Sequence, residues 1–90
     1  MSVRINIPHI FHQFTNGQAI VEVNGDTVGQ CLNHLAKQFP GIEKALLDKS
    51  GKLLNYVDIY VNLESSYPEE LAKSVKEGDE LYIALMLGGG

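Results

Sequence analysis

One stripe of apolar residues limits what this chain can fold into. Val28, Cys31, Leu32, Leu35 and Phe39 recur at the spacing of successive helical turns, so they fall on one face of a single helix. Thr27 stands at the N-cap position with Gln30 three residues on, the pattern of a capping box. Pro40-Gly41 ends the run. The rest of the chain supplies mainly strands, so the helix face is expected to be covered by a sheet.

The strands read as period-two alternations. Val3, Ile5 and Ile7 alternate with Arg4 and Asn6 until Pro8 stops them. Ala19 to Val23 form a second strand, closed by Asn24-Gly25. The two are expected to pair as a hairpin across a loop from His9 to Gln18 that turns at Asn16-Gly17. Ile42 to Leu47 predicts a short second helix, broken by Ser50-Gly51. Val57, Ile59 and Val61 alternate with Tyr56, Asp58 and Tyr60. Asn62 to Tyr67 reads as turn, and Pro68-Glu69-Glu70-Leu71 as one helical turn with Pro in its first position. Glu77-Gly78-Asp79 leads into a last strand in which Leu81, Ile83 and Leu85 alternate with Tyr82, Ala84 and Met86.

The expected fold is α+β: a roll in which a mixed sheet carries one main helix on one face. The helix stripe is expected to pack on Val3, Ile5, Val21, Ile59 and Ile83 or their neighbours. Residues 1–87 form the domain and 88–90 a flexible glycine tail.

Composition narrows the function classes. The chain has 90 residues, 44% apolar and 20% charged, which fits one globular domain. No apolar run approaches the roughly 20 residues of a membrane span, and the N-terminus lacks a signal peptide's apolar region. A single cysteine forms no internal disulfide and fits a reducing compartment, so a cytoplasmic location is expected. Residues 1–50 carry four basic and four acidic side chains. Residues 51–90 carry three lysines against Asp58, Glu64, Glu69, Glu70, Glu77, Asp79 and Glu80, so the net charge of -4 lies entirely there. Nucleic acid would require the opposite sign. An acidic face beside the tail would suit a basic protein partner, but from charge alone a solvated surface that aids solubility is the favoured reading.

The interior of the sequence offers no catalytic constellation. His9 and His12 are three apart, but no cluster completes a metal site around them. His34 falls off the main helix face and is expected to be exposed. Cys31 lies within the apolar stripe, where a thiol is inert. Gly25-Asp26-Thr27-Val28-Gly29 fits neither phosphate-binding fingerprint, and turn plus N-cap is its simpler role.

The chain ends Leu87-Gly88-Gly89-Gly90 directly after the last strand. Glycine is costly to order and packs nothing, so this ending contributes little to a core. A disordered end or a truncated linker would account for it. So would a reactive terminus. The main-chain carboxylate of Gly90 becomes an electrophile once ATP adenylates it, and a sulfur nucleophile can then displace AMP. Without a Cβ, the carbonyl is open to close approach, and the backbone can pass through conformations closed to other residues. Extended, residues 87–90 reach roughly 13–14 Å, enough to enter a partner's active site.

These features together resemble the ubiquitin-like β-grasp sulfur carriers of the MoaD/ThiS family. The resemblance rests on the strand–strand–helix–strand–strand order, the turn at Val61-Asn62, Glu77-Gly78-Asp79-Glu80-Leu81 leading into the last strand, and the terminal Gly89-Gly90. It covers essentially the whole chain. The segment Gly41 to Leu54, followed by Tyr56 to Asn62, is similar to the longer carriers of cysteine and homocysteine synthesis.

The resemblance implies a protein cosubstrate rather than an enzyme. Gly90 would be adenylated by an E1-like adenylyltransferase that uses ATP and Mg, with no cofactor or metal bound to the carrier. A sulfur donor would convert it to a thiocarboxylate, and a sulfur-accepting biosynthetic enzyme would receive the sulfur. Leu87, Gly88, Gly89 and Gly90 would enter the partner. Where many members have Ala before the final pair, this chain has Gly88, read as a simple replacement. The other reading makes Gly90 an extra residue removed by a tail-processing metalloprotease. A ubiquitin-like modifier and the small subunit of a molybdopterin-synthase-like complex are the alternative roles. The expected partner surface is Tyr60, Tyr82 and Met86 with Glu77, Asp79 and Glu80, although Tyr60 and Tyr82 would also suit simple cross-strand pairing.

Overall fold

The computed structural model describes residues 2–86, so the tail Leu87, Gly88, Gly89 and Gly90 lies outside the described residues. Five strands form one sheet: β1 (Ser2–Asn6), β2 (Ile20–Asn24), β3 (Val57–Val61), β4 (Glu64–Ser65) and β5 (Glu80–Leu85). Their spatial order is β2-β1-β5-β3-β4. β1 and β5 are parallel, with Ile5 opposite Leu81, and the other three pairings are antiparallel. The first and last strands of the chain thus lie side by side within the sheet.

Helix α1 (Val28–Gln38) crosses one face. Val28, Cys31, Leu32 and Leu35 are buried against Val3, Ile5, Val21, Val23, Ile59, Leu81 and Ile83, while Phe39 is partly buried at the cluster's edge. This is the core that the helix stripe and strand alternations predict. The Thr27 hydroxyl accepts from the Gln30 N–H at 3.2 Å. The Gln30 side-chain oxygen accepts from the Asp26 N–H at 2.7 Å, one residue before the cap.

Both glycines of Gly25-Asp26-Thr27-Val28-Gly29 have a packing role. A Cβ on Gly25 would lie 2.8 Å from the Cys31 nitrogen and 2.9 Å from its sulfur. One on Gly29 would lie 3.1 Å from the Leu71 carbonyl oxygen.

Four local readings are corrected. His9–Phe14 is a 3-10 helix and not open loop, because Phe11 is buried and Phe14 packs against it at 5.9 Å between ring centres. Asn62 adopts φ +58°, which lets the chain reverse within two residues and pair Glu64–Ser65 with Tyr60 and Val61 as a fifth strand. The 3-10 turn near Pro68 spans Glu70–Ala72, so Pro68 precedes it instead of opening it. His34 is half-buried, and its Nδ1 accepts from the Asn24 N–H at 2.7 Å, anchoring the end of the edge strand. The predicted second helix is a 3-10 turn, Pro40–Ile42, running into α2 (Glu43–Leu46).

Candidate functional site

The tail leaves from the end of β5, so the geometry of that end is the geometry of the site. β1 accompanies β5 only as far as Tyr82, whereas β3 follows it to Leu85. The Met86 N–H then donates to the Tyr56 carbonyl at 2.7 Å. Backbone hydrogen bonds therefore fix the point of exit to within one residue of the first tail position.

On the sheet face opposite α1, Tyr60 and Tyr82 stand directly across from each other on β3 and β5. Tyr82 is 38% exposed and Met86 53%. The pair is thus a cross-strand contact that also leaves aromatic surface uncovered.

Glu77, Asp79 and Glu80 lie at the opposite end of β5. A rise of ~3.3 Å per residue sets Glu80 roughly 17 Å from Leu85, so these acids do not flank the exit. Each is also engaged within the fold. A Glu77 carboxylate oxygen accepts from the Ser2 N–H at 2.8 Å. Asp79 accepts from the Asn62 side-chain amide at 3.2 Å and from the Lys76 N–H at 2.9 Å. Glu80 pairs with Arg4 at 3.0 Å and accepts from the Asn6 amide at 3.1 Å. The Asn6 amide first, and then the Arg4 charge, hold the Glu80 carboxyl below its ordinary value of 4.5.

A carboxylate whose folded pKa is depressed stabilises the fold above its unfolded pKa, and that contribution is lost as pH falls through the folded value. Glu80→Gln is therefore expected to flatten the acid side of the thermal-midpoint profile, below about pH 4.5. Glu80→Lys is expected to melt lower than Glu77→Lys, because it sets a second cation beside Arg4. Equal melting of the two lysine variants would contradict this account of Glu80.

Next to the exit is a groove of about 410 Å³. It is lined by Lys52, Leu54, Asp58, Tyr67, Glu70 and Met86 among others. Sequence reasoning missed it because its walls come from four separate segments: the turn bridged by Leu47 and Leu53, β3, the stretch before Ala72, and the end of β5. Of its lining, Met86 alone belongs to the partner surface expected from the sequence.

The remaining candidates stay outside the site. The rings of His9 and His12 are 5.1 Å apart, and among the described residues no group of three or more His, Cys, Asp or Glu could hold a metal ion. Burial pushes the Cys31 thiol up to about 11, so it is not a nucleophile near neutral pH. Among the described residues no helix is long and apolar enough to cross a membrane.

Comparison with known proteins bears on the whole chain. It is 38% identical to the sulfur carrier protein CysO of Mycobacterium tuberculosis over 93 aligned positions, covering 100% of both chains. A chain of the Amycolatopsis orientalis BexX/CysO complex superposes with a TM-score of 0.89 at 32% identity, over 98% of this chain and 99% of that one. SAMP1 of Haloferax volcanii superposes with a TM-score of 0.84 at 25% identity, over 100% of both. Residues 5–90 match the ThiS family. With one five-stranded mixed sheet packed on α1, and the family match running from the first strand through the terminal glycines, the chain belongs to the ThiS family.

Proposed function

We propose that this protein is a sulfur carrier whose Gly90 carboxylate is activated and converted to a thiocarboxylate. The observation that carries the reading is the full-length similarity to CysO, a sulfur carrier protein, with nothing of either chain left uncovered. An E1-like enzyme would supply the chemistry, using ATP and Mg. The Gly90 carboxylate oxygen attacks the α-phosphorus of ATP, and pyrophosphate leaves. A sulfide-level sulfur nucleophile then attacks the acyl carbon, the acyl–oxygen bond to AMP breaks, and the thiocarboxylate remains. The carrier's own part is presentation: β5 holds the exit in place, and the glycines after Leu87 let the carbonyl be approached without a side chain in the way.

The sulfur acceptor is a biosynthetic enzyme, and similarity to CysO favours the cysteine type. The modifier and molybdopterin-synthase readings are not carried forward, since the full-length similarity at 38% identity is to a sulfur carrier protein. We place the reaction at Gly90, without prior trimming by a metalloprotease.

The test is ATP–pyrophosphate exchange by the E1-like enzyme from the same genome. Exchange that depends on added carrier supports the reading. Exchange that is absent, with an enzyme proven on another carrier, overturns it.

A further inference from the structure

The groove beside the exit has a composition that the tail alone does not explain. Its lining holds three carboxylates, Asp48, Asp58 and Glu70, against the single ammonium of Lys52. Asp58 is half-buried on β3, where its carboxylate accepts from the Ser65 hydroxyl at 2.7 Å and from the Ser66 hydroxyl at 3.4 Å. The ion pairs among the described residues are Arg4–Glu80 and Lys73–Glu64, so neither Asp58 nor Glu70 has a cation within 4.0 Å. Asp58 is thus held in place by neutral donors with its charge uncompensated. The walls are Leu53, Leu54 and Val57, and the rim carries the exposed ring of Tyr67 and the exposed Met86.

Position decides what kind of occupant fits. Four residues follow Met86, and fully extended they span roughly 13–14 Å. An active site that holds Gly90 therefore lies within that distance of Met86, and the protein around it has to cover surface that Met86 itself lines. We infer that this groove receives a basic segment of the activating enzyme, with a guanidinium or ammonium set against Asp58 and Glu70 and against the face of Tyr67. The cation supplies the missing countercharge, and the Tyr67 ring adds a cation–π contact. This inference rests on the carrier reading and adds the docking surface through which the enzyme recognises the carrier. The turn bridged by Leu47 and Leu53, which walls the groove, then acts as a specificity element.

The test is steady-state activation kinetics with the same E1-like enzyme, carrier concentration and salt being varied. The variants are Glu70→Gln, Asp58→Asn/Glu70→Gln and Tyr67→Ala, with Glu22→Gln on β2 as a control. No hydrogen bond or ion pair among the described residues engages the Glu70 carboxylate, so Glu70→Gln leaves the fold intact even if the double variant does not. The expected result is a KM for carrier raised about tenfold in the double variant, with kcat unchanged and a shallower salt dependence. Glu70→Gln shifts both KM and salt slope in the same direction by less, Tyr67→Ala raises KM with the salt slope retained, and Glu22→Gln matches wild type. Wild-type KM and salt slope in Glu70→Gln and the double variant would overturn the inference while leaving the carrier reading standing. A wild-type carrier that is never activated would overturn both.

Discussion

Deleting Gly90 abolishes activation by the E1-like enzyme and leaves the thermal midpoint of the domain unchanged. The two halves of this expectation have separate causes. In the proposed reaction the reacting group is the Gly90 carboxylate, and shortening the chain by one residue withdraws it by roughly 3.3–3.6 Å. A shift of even about 1 Å from the productive geometry can cost on the order of a hundredfold, so withdrawal by a full residue takes turnover below detection. The fold is expected to be indifferent because its core closes between Val3 and Ile83, and the last ladder bond among the described residues is made by Met86. Pyrophosphate exchange and a thermal melt on the same preparation check both halves. Undiminished exchange would move the reactive carboxylate to Gly89, and a lowered midpoint would assign the tail a structural role that nothing in the core requires.

The second large effect is expected at Leu35. This side chain lies fully buried between α1 and the sheet, among the largest in the core. Leu35→Ala removes its transfer free energy and leaves a cavity, together costing ~3–4 kcal/mol. A domain this small has a total stability of about 5–15 kcal/mol, so the variant is expected to lose a large fraction of it. Urea denaturation should show the midpoint falling with the slope unchanged. Leu63→Ala is the contrast: at 91% exposure it is expected to change stability by no more than about 0.5 kcal/mol. Similar losses at both positions would mean that the core is not where the helix stripe places it.

The main architecture was legible because its signals are periodic. The spacing of Val28, Cys31, Leu32 and Leu35 admits one helical face, and the alternations around Ile5, Val21, Ile59 and Ile83 admit one buried sheet face, as observed. What the sequence hid depends on contacts between distant segments. β4 is only two residues long and exists because Asn62 takes a left-handed conformation, which asparagine permits without announcing it. The 3-10 helix at His9–Phe14 follows from burying Phe11, a tertiary demand with too short a span to show a period. The charge asymmetry was visible, but its placement was not. Glu77 and Asp79 precede β5 and Glu80 opens it, so all three stand a strand's length from the exit, while Asp58 and Glu70 are brought to the exit by β3 and the turn that follows β4.

The most direct measurement is the intact mass of the purified chain after incubation with the E1-like enzyme, Mg-ATP and a sulfide source, followed by fragmentation to locate the change. The account predicts a gain equal to exchanging one oxygen for sulfur, mapped to Gly90 and dependent on ATP. An unchanged mass, with an activating enzyme shown to be competent on another carrier, would contradict it.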